Sequence, residues 1–242
     1  MERVLSFFIA LIMAGIPLSG ASTLPQDAPT EQTDVFHSEW YIPDLAVEDV
    51  IIYFNEVCLD SEYSYSGNSK LVQKWNCPIY YELLGTPTKE DVQVIEGFCQ
   101  WLNNVPGFPG IYESSGPAFT NLEIYFCPQE EIPERMGDDF HFADGAVTYW
   151  YEENQIYSGI ICCRSDIGQY LRNSVILEEM YNGMGAVQDT VLRPDSLIYQ
   201  YYAEPQAMSE VDELIMRLLY SPYIDCGMDA EQCEAVIRRL YY

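Results

Sequence analysis

Val175-Ile176-Leu177-Glu178-Glu179-Met180-Tyr181-Asn182-Gly183-Met184-Gly185-Ala186-Val187-Gln188-Asp189 is the stretch on which the reading of this chain turns. Ile176, Leu177, Met180 and Met184 recur at helical spacing and give a helix with an apolar flank. Glu178 and Asn182 stand four residues apart, so on that helix they point the same way, with Glu179 beside them. Gly183 and Gly185 form no phosphate-binding loop. They mark the end of the helix, where glycine relieves a left-handed residue.

Two imidazoles one turn apart with a glutamate beside the first make the His-Glu-x-x-His pattern of zinc peptidases, which metzincins extend to His-Glu-x-x-His-x-x-Gly-x-x-His, often followed by Asp. This chain carries Glu178-Glu179-x-x-Asn182-x-x-Gly185-x-x-Gln188-Asp189. The glutamate, glycine and aspartate are kept, and Glu178, Asn182 and Gln188 replace the three histidines. Further on, Ser196-Leu197-Ile198-Tyr199 precedes Met208-Ser209-Glu210-Val211-Asp212 and a helix through Leu214, Ile215, Leu218 and Leu219 to Tyr220. This is similar to matrixin-type metzincins, where Ser-x-Met-Tyr turns beneath the metal and a Leu-Ser-x-x-Asp helix ending in Leu-Tyr follows. Ile198 stands in place of the turn methionine. The chain thus resembles an atypical zincin-like family of secreted bacterial proteins, mostly of unknown function, with the zinc ligands replaced. Motif detail covers residues 172–220, and the order of elements extends the resemblance back to about residue 70.

The resemblance puts Glu179 at the general-base position. Without a metal to lower the pKa of its water, a lone glutamate loses most of its catalytic leverage, so Glu179 reads as a vestigial catalytic residue. Of the substituted positions, Glu178 is a competent zinc donor, whereas the amides of Asn182 and Gln188 bind zinc poorly. Calcium or magnesium would accept the oxygens of Glu178, Asn182, Gln188 and Asp189 more readily, although no loop has the dense acidic pattern of an EF-hand. No cofactor is expected, with zinc and calcium left open.

The two histidines, His37 and His141, lie away from the motif, and no nucleophile elbow accompanies them, which disfavours Ser-His-Asp and Cys-His hydrolysis. Glu178 and Glu179 diverge by about 100° on a helix, so they do not flank one glycosidic bond. Tyr199, Tyr201 and Tyr202 follow the turn and offer stacking faces to a peptide or glycan, the competing reading being ordinary core aromatics. Asp189, Tyr199 and Tyr201 are the cleft candidates.

Residues 1–21 have the form of an export signal: Arg3, an apolar run from Leu5 to Leu18, then the small residues Ser19-Gly20-Ala21. A retained N-terminal anchor is the alternative. Residues 22–42 are polar and proline-bearing and read as a linker. Residues 43–242 then form one domain with a helical C-terminal part from about residue 190. No later apolar run suffices for a membrane span, and the expected location is secreted, at the cell surface or periplasmic.

The sequence holds 38 acidic and 11 basic residues, a net charge of -27 that loss of Glu2 and Arg3 with the signal leaves unchanged. Such a chain repels phosphate backbones and anionic lipid, which excludes nucleic acid as a partner class. A solvated acidic surface accounts for the balance, and a cationic partner is allowed. Eight cysteines, all after residue 21, fit a disulfide framework, with Cys226–Cys233 the local candidate pair and buried free thiols the alternative. Cys162 and Cys163 are neighbours in a strand and should face opposite sides.

The remaining elements are a helix over 45–58, a strand over 71–84 broken at Pro78, and a helix capped by Thr88 with Val92, Ile95, Phe98, Cys99 and Leu102 inward. Strands follow over 122–127, 146–151 and 155–163, the last two joined by Glu152-Glu153-Asn154. Asp166 is the candidate cap of the motif helix, and a last helix spans 229–240. This order predicts an α+β, zincin-like fold: a mixed sheet backed by helices with a long motif helix. The expected function is non-catalytic binding of an extracellular peptide, protein or glycan. The rival is a metal-dependent peptidase or other hydrolase that uses Glu179 with a non-standard metal site.

Overall fold

The computed structural model describes residues 40–59, 71–137 and 140–242. Contacts divide the chain into residues 1–36 and 37–242, and every described residue belongs to the second unit. The expected export signal and most of the expected linker therefore lie outside the described residues. Trp40, Tyr41 and Ile42, the end of the expected linker, already pack on the core.

Six strands make one sheet: β1 (Lys74–Trp75), β2 (Ile79–Gly85), β3 (Ile111–Glu113), β4 (Leu122–Cys127), β5 (Gly145–Glu152) and β6 (Gln155–Arg164). Their order is β1-β6-β4-β2-β3, with β5 also on β6. Only β5–β6 is antiparallel; the other pairs are parallel. The hairpin between β5 and β6 turns at Glu153 and Asn154, both at positive φ, as a two-residue turn matched to strand twist requires. Parallel neighbours need crossovers, and α2 (Lys89–Leu102) supplies the one from β2 to β3. The fold is α+β, with a mostly parallel sheet backed by helices.

α4 (Gln169–Gly183) is the motif helix, packed against α2, β5 and β6. It is buried on nearly all sides, so the apolar flank is only part of its surface: Arg172, Ser174, Glu179 and Asn182 are buried as well. α1 (Val47–Leu59) packs on α5 (Glu210–Tyr220) and α6 (Ala230–Tyr241). α3 (Ile132–Met136) covers a small second core of Cys127, Ile132, Ala146 and Cys162. Cys163 belongs to the main core, so the neighbouring thiols do face opposite sides. Neither α3 nor three-residue β3 carries a periodic signal long enough to read from sequence.

Thr88 caps α2 in a full capping box with Asp91. Asp91 also accepts Gln169 Nε2 at 2.6 Å and Arg172 Nη1 at 3.1 Å, which joins α2 to the first turn of α4. Asp166 does not cap α4. Gly168 holds that position with no side-chain bond, and Asp166 pairs instead with Arg164 at 2.7 Å, its own chain neighbour two residues back.

Buried Lys74 donates to Leu219 O at 2.8 Å and to Ile224 O, so it neutralises the carbonyl end of α5 from β1. All eight cysteines are free. The Cys226–Cys233 bridge is not formed; Cys226 Sγ contacts Lys74 O at 3.7 Å and Cys233 is buried in α6. Burial pushes the thiols of Cys99, Cys162 and Cys233 up to about 12, which makes them inert packing groups. No helix of the described residues is long and apolar enough to cross a membrane.

Candidate functional site

Successive residues of α4 diverge by about 100°, which sorts its side chains into faces. One face lies along the start of β5. A Cβ on Gly145 would stand 2.6 Å from Glu179 Cγ and Val175 Cγ1, and one on Gly183 would stand 3.6 Å from Val147 Cγ2. Another face meets α5, where the Tyr181 hydroxyl donates to Asp212 O at 3.1 Å. Glu178 and Asn182 occupy the stripe between the two.

The C-terminal end of α4 is locked. Gly183 O accepts Trp75 Nε1 and Met184 O accepts the Tyr220 hydroxyl, both at 2.8 Å. Gly185 then turns the chain at φ +108°, and a Cβ there would lie 2.4 Å from Gln73 O. Both the dihedral and the close approach require glycine.

The Ser196–Tyr199 turn is tied to the start of α5 through one carboxylate. Asp212 accepts Ser196 Oγ at 2.7 Å, the Leu197 N–H at 3.0 Å, the Ser209 N–H at 2.9 Å and the Tyr53 hydroxyl at 3.4 Å. Thr190 N–H donates to Ile198 O and Gln200 N–H to Thr190 O, each at 2.9 Å, so the segment after α4 lies along the turn.

Asp189 is held there within electrostatic reach of Glu178. Burial, then the charges of Asp189 and Asp144, push the Glu178 carboxyl up to about 8. Glu179 is also raised well above the carboxylate range, by burial and then by Glu178 and Asp189. Among the described residues no hydrogen bond or ion pair reaches either carboxyl. Asn182 is 7% exposed, and its Oδ1 is buried without a partner. Arg164 is bound to Asp144 at 2.8 Å and to Asp166.

The structure thus brings together Glu178, Glu179, Asn182 and Asp189. Gln188 is turned to the backbone, its N–H donating to Val57 O and its side-chain amide to Asp189 O, both at 3.3 Å. Tyr199 and Tyr201 stack edge to face at 5.5 Å, with Tyr201 exposed. His141 lies exposed beside Phe142; His37 lies outside the described residues. Asp144, Gly145 and Tyr202 are additional neighbours of the site. Nothing in their local sequence marks them, because β5 comes to α4 only through its pairing with β6.

Zinc does not fit these donors. The three motif positions supply one carboxylate and two amides, one of them turned away. Among the described residues no group of three His, Cys, Asp or Glu side chains converges to hold a metal. An open hollow of about 410 Å³ lies elsewhere, between α2 and β3, lined by Tyr81, Glu96, Tyr112 and Glu113 among others, and includes no motif residue.

A family model described as "Protein of unknown function (DUF2927)" matches residues 48–239, so the chain belongs to that family. No curated protein matches the sequence.

Proposed function

We propose that this DUF2927 member is an exported, zincin-like domain that has lost the zinc triad and acts by binding an extracellular peptide, protein or glycan at a cleft below the motif helix, beside Asp189, Tyr199 and Tyr201. Two features support the zincin-like part: Asp212 bonds the Ser196 turn to the Ser209-capped helix ending in Leu219-Tyr220, and the Tyr181 hydroxyl of the motif helix donates to Asp212 O. The observation that carries binding over cleavage is the state of Glu179. It is 7% exposed and packed against Gly145, and burial raises its carboxyl well above the usual range. A general base must be deprotonated and within reach of the proton it removes. Burial favours the protonated form of Glu179 and leaves it little open to water.

Metal content decides between this reading and a hydrolase that uses an unusual metal. The full chain, purified without chelator or affinity metal, is examined by mass spectrometry together with Glu178→Ala. Substoichiometric metal unchanged by the substitution is expected. One equivalent of a transition metal, lost on Glu178→Ala, would overturn the binding reading and make peptide hydrolysis the next assay.

A further inference from the structure

The hollow of about 410 Å³ between α2 and β3 falls in the size range of small-molecule sites. Its floor includes Tyr81 of β2. Side chains alternate along that strand, so Ile79 and Tyr81 are buried while Tyr80 faces outward. The parallel register pairs Tyr81 with Glu113 of β3, which sets both side chains on one face of the sheet. On the opposite wall Glu96 and Gln100 stand four residues apart on α2 and share a helix stripe. Each wall therefore brings one exposed carboxylate to the rim, above a buried phenol.

Tyr81 is 5% exposed, yet among the described residues no hydrogen bond reaches its hydroxyl. Burial, then Cys99, Glu113 and Glu96, raise its pKa, so the hydroxyl keeps its proton beside residues that line the hollow. A buried donor without a partner bears its desolvation cost, which a guest in the hollow would relieve. Asn103 cannot, because it is committed elsewhere: its Nδ2 donates to Ile111 O and the Ile111 N–H donates to its Oδ1, both at 2.8 Å. That pair fastens the end of α2 to β3 and occupies the outer edge of the sheet as a strand would, which leaves little edge for an added peptide. Tyr112 is 52% exposed, and its ring folds over Gly110, where a Cβ would stand 2.6 Å from the hydroxyl. Glycine at φ +98° permits that position of the ring at the edge of the hollow.

Among the described residues no basic side chain lines the hollow, so an anion finds no counter-charge there. The lining offers acceptors in Glu96 and Glu113, a donor in Tyr81, both in the amide of Gln100, and an aromatic face in Tyr112. A cation would use the acceptors and leave the phenol proton unmet. A sugar ring carries hydroxyls that both donate and accept, and a C–H face that packs on an aromatic ring. We propose that this hollow binds a neutral sugar ring, its hydroxyls held by Tyr81, Glu96 and Glu113 and its apolar face by Tyr112. The site includes no residue of the motif helix and is independent of the binding reading above.

Saturation-transfer NMR on the full chain tests the methyl glycosides of glucose, galactose, mannose and N-acetylglucosamine, with the methyl glycoside of glucuronic acid and butylamine as charged controls. At least one neutral glycoside is expected to bind and the glucuronide to stay silent. Tyr81→Phe keeps the ring and removes one hydroxyl, and should weaken the bound glycoside about fivefold or more. Tyr112→Ala, at an exposed position, should weaken it at least as much, with thermal unfolding of both variants showing that the fold is kept. Glu178→Ala should leave the affinity unchanged. Absence of binding by every neutral glycoside up to about 10 mM would overturn the proposal, as would equal binding of the glucuronide. Butylamine binding lost on Glu113→Gln, with no glycoside bound, would overturn it in favour of a cation. A glycoside indifferent to both tyrosine substitutions would also overturn it; if its affinity fell with Glu178→Ala instead, the glycan would belong to the motif helix and the earlier binding reading would stand.

Discussion

Two groups of buried or half-buried carboxylates flank α4, and they are handled in opposite ways. Asp212 is fully buried and collects four donors, two backbone N–H groups and two hydroxyls, from three separate parts of the chain. Glu178 and Glu179, on another side of the same helix, collect none among the described residues, and a buried amide oxygen beside them is unpaired as well. A carboxylate buried with its donors fixes a geometry. Carboxyls buried beside one another without donors raise each other's proton affinity and lower stability, which a fold tolerates where something outside it is to be met. The difference separates a structural joint from a candidate site although both are acidic, buried and adjacent to one helix.

The largest effect should come from the joint. Asp212→Ala leaves Ser196 Oγ and the Leu197 and Ser209 N–H groups without their acceptor in a buried place, while the Tyr53 hydroxyl keeps Ser196 Oγ at 2.7 Å. Loss of about 3–5 kcal/mol is expected, as for a broken buried ionic network, read from urea unfolding. Asp212→Asn keeps one acceptor oxygen and should lose less. A cost near zero for the alanine variant would erase the contrast with Glu178.

On the other flank the sign reverses with pH. A carboxyl raised in the folded state costs nothing below the unfolded value of about 4.5, where both states are protonated. Between that value and about 8, the unfolded chain releases the Glu178 proton and the folded chain keeps it, so stability falls as pH rises. The slope is at most about 1.4 kcal/mol per pH unit for one proton. Above about 8 the cost is constant. Asp189 and Asp144 face Glu178, and Glu179 adjoins it, so all of them shape the window. Glu178→Gln should therefore be more stable than the parent at neutral pH, with the gain vanishing near pH 4.5. Subtracting the two pH profiles cancels the other titrating groups. A gain that persists unchanged at acid pH would mean that the raised proton affinity is not the cause.

A smaller effect isolates the packing around Glu179. Gly145→Ala places a methyl 2.6 Å from the Glu179 side chain and Val175 Cγ1, which must shift. About 1–3 kcal/mol of overpacking is expected. In a Glu179→Ala background part of that cost should disappear, and a double-mutant cycle measures the coupling. Strict additivity would show that Glu179 does not lie against β5 as described.

How much of this was legible in the sequence differs between the two flanks. The Ser209-x-x-Asp212 cap is local and could be read directly, as could Thr88 with Asp91. The second role of Asp212, bonding to Ser196 and Leu197, depends on a turn sixteen and fifteen residues away, and no pattern announces it. Glu178, Glu179 and Asn182 were evident from helical spacing alone. Their surroundings were not, because Asp144 and Gly145 arrive through the β5–β6 hairpin. Asp166 failed as a cap for a similar reason: Arg164, next along the same strand end, is a stronger partner than the free N–H groups of α4. Gln188 was expected with the motif, but the chain beyond Gly185 follows the Ser196 turn, and that path directs its amide to the backbone.

The smallest effect sharpens the comparison with one residue type on both flanks. Tyr181 is buried, and its hydroxyl serves the joint by donating to Asp212 O; Tyr202 is largely exposed, and its hydroxyl bonds only to Glu204 among the described residues. Tyr181→Phe removes one buried hydrogen bond and leaves a carbonyl short of a donor, so a loss of about 1 kcal/mol is expected. Tyr202→Ala removes a whole ring, yet stability should change by no more than about 0.5 kcal/mol, because that ring covers little of the core. Thermal unfolding of the two variants at one pH gives the ratio. If deletion of the exposed ring cost more than loss of the buried hydroxyl, Tyr202 would be part of the fold and not a surface left open for a ligand, and the division of α4 into a structural and a binding flank would fail at its outer edge.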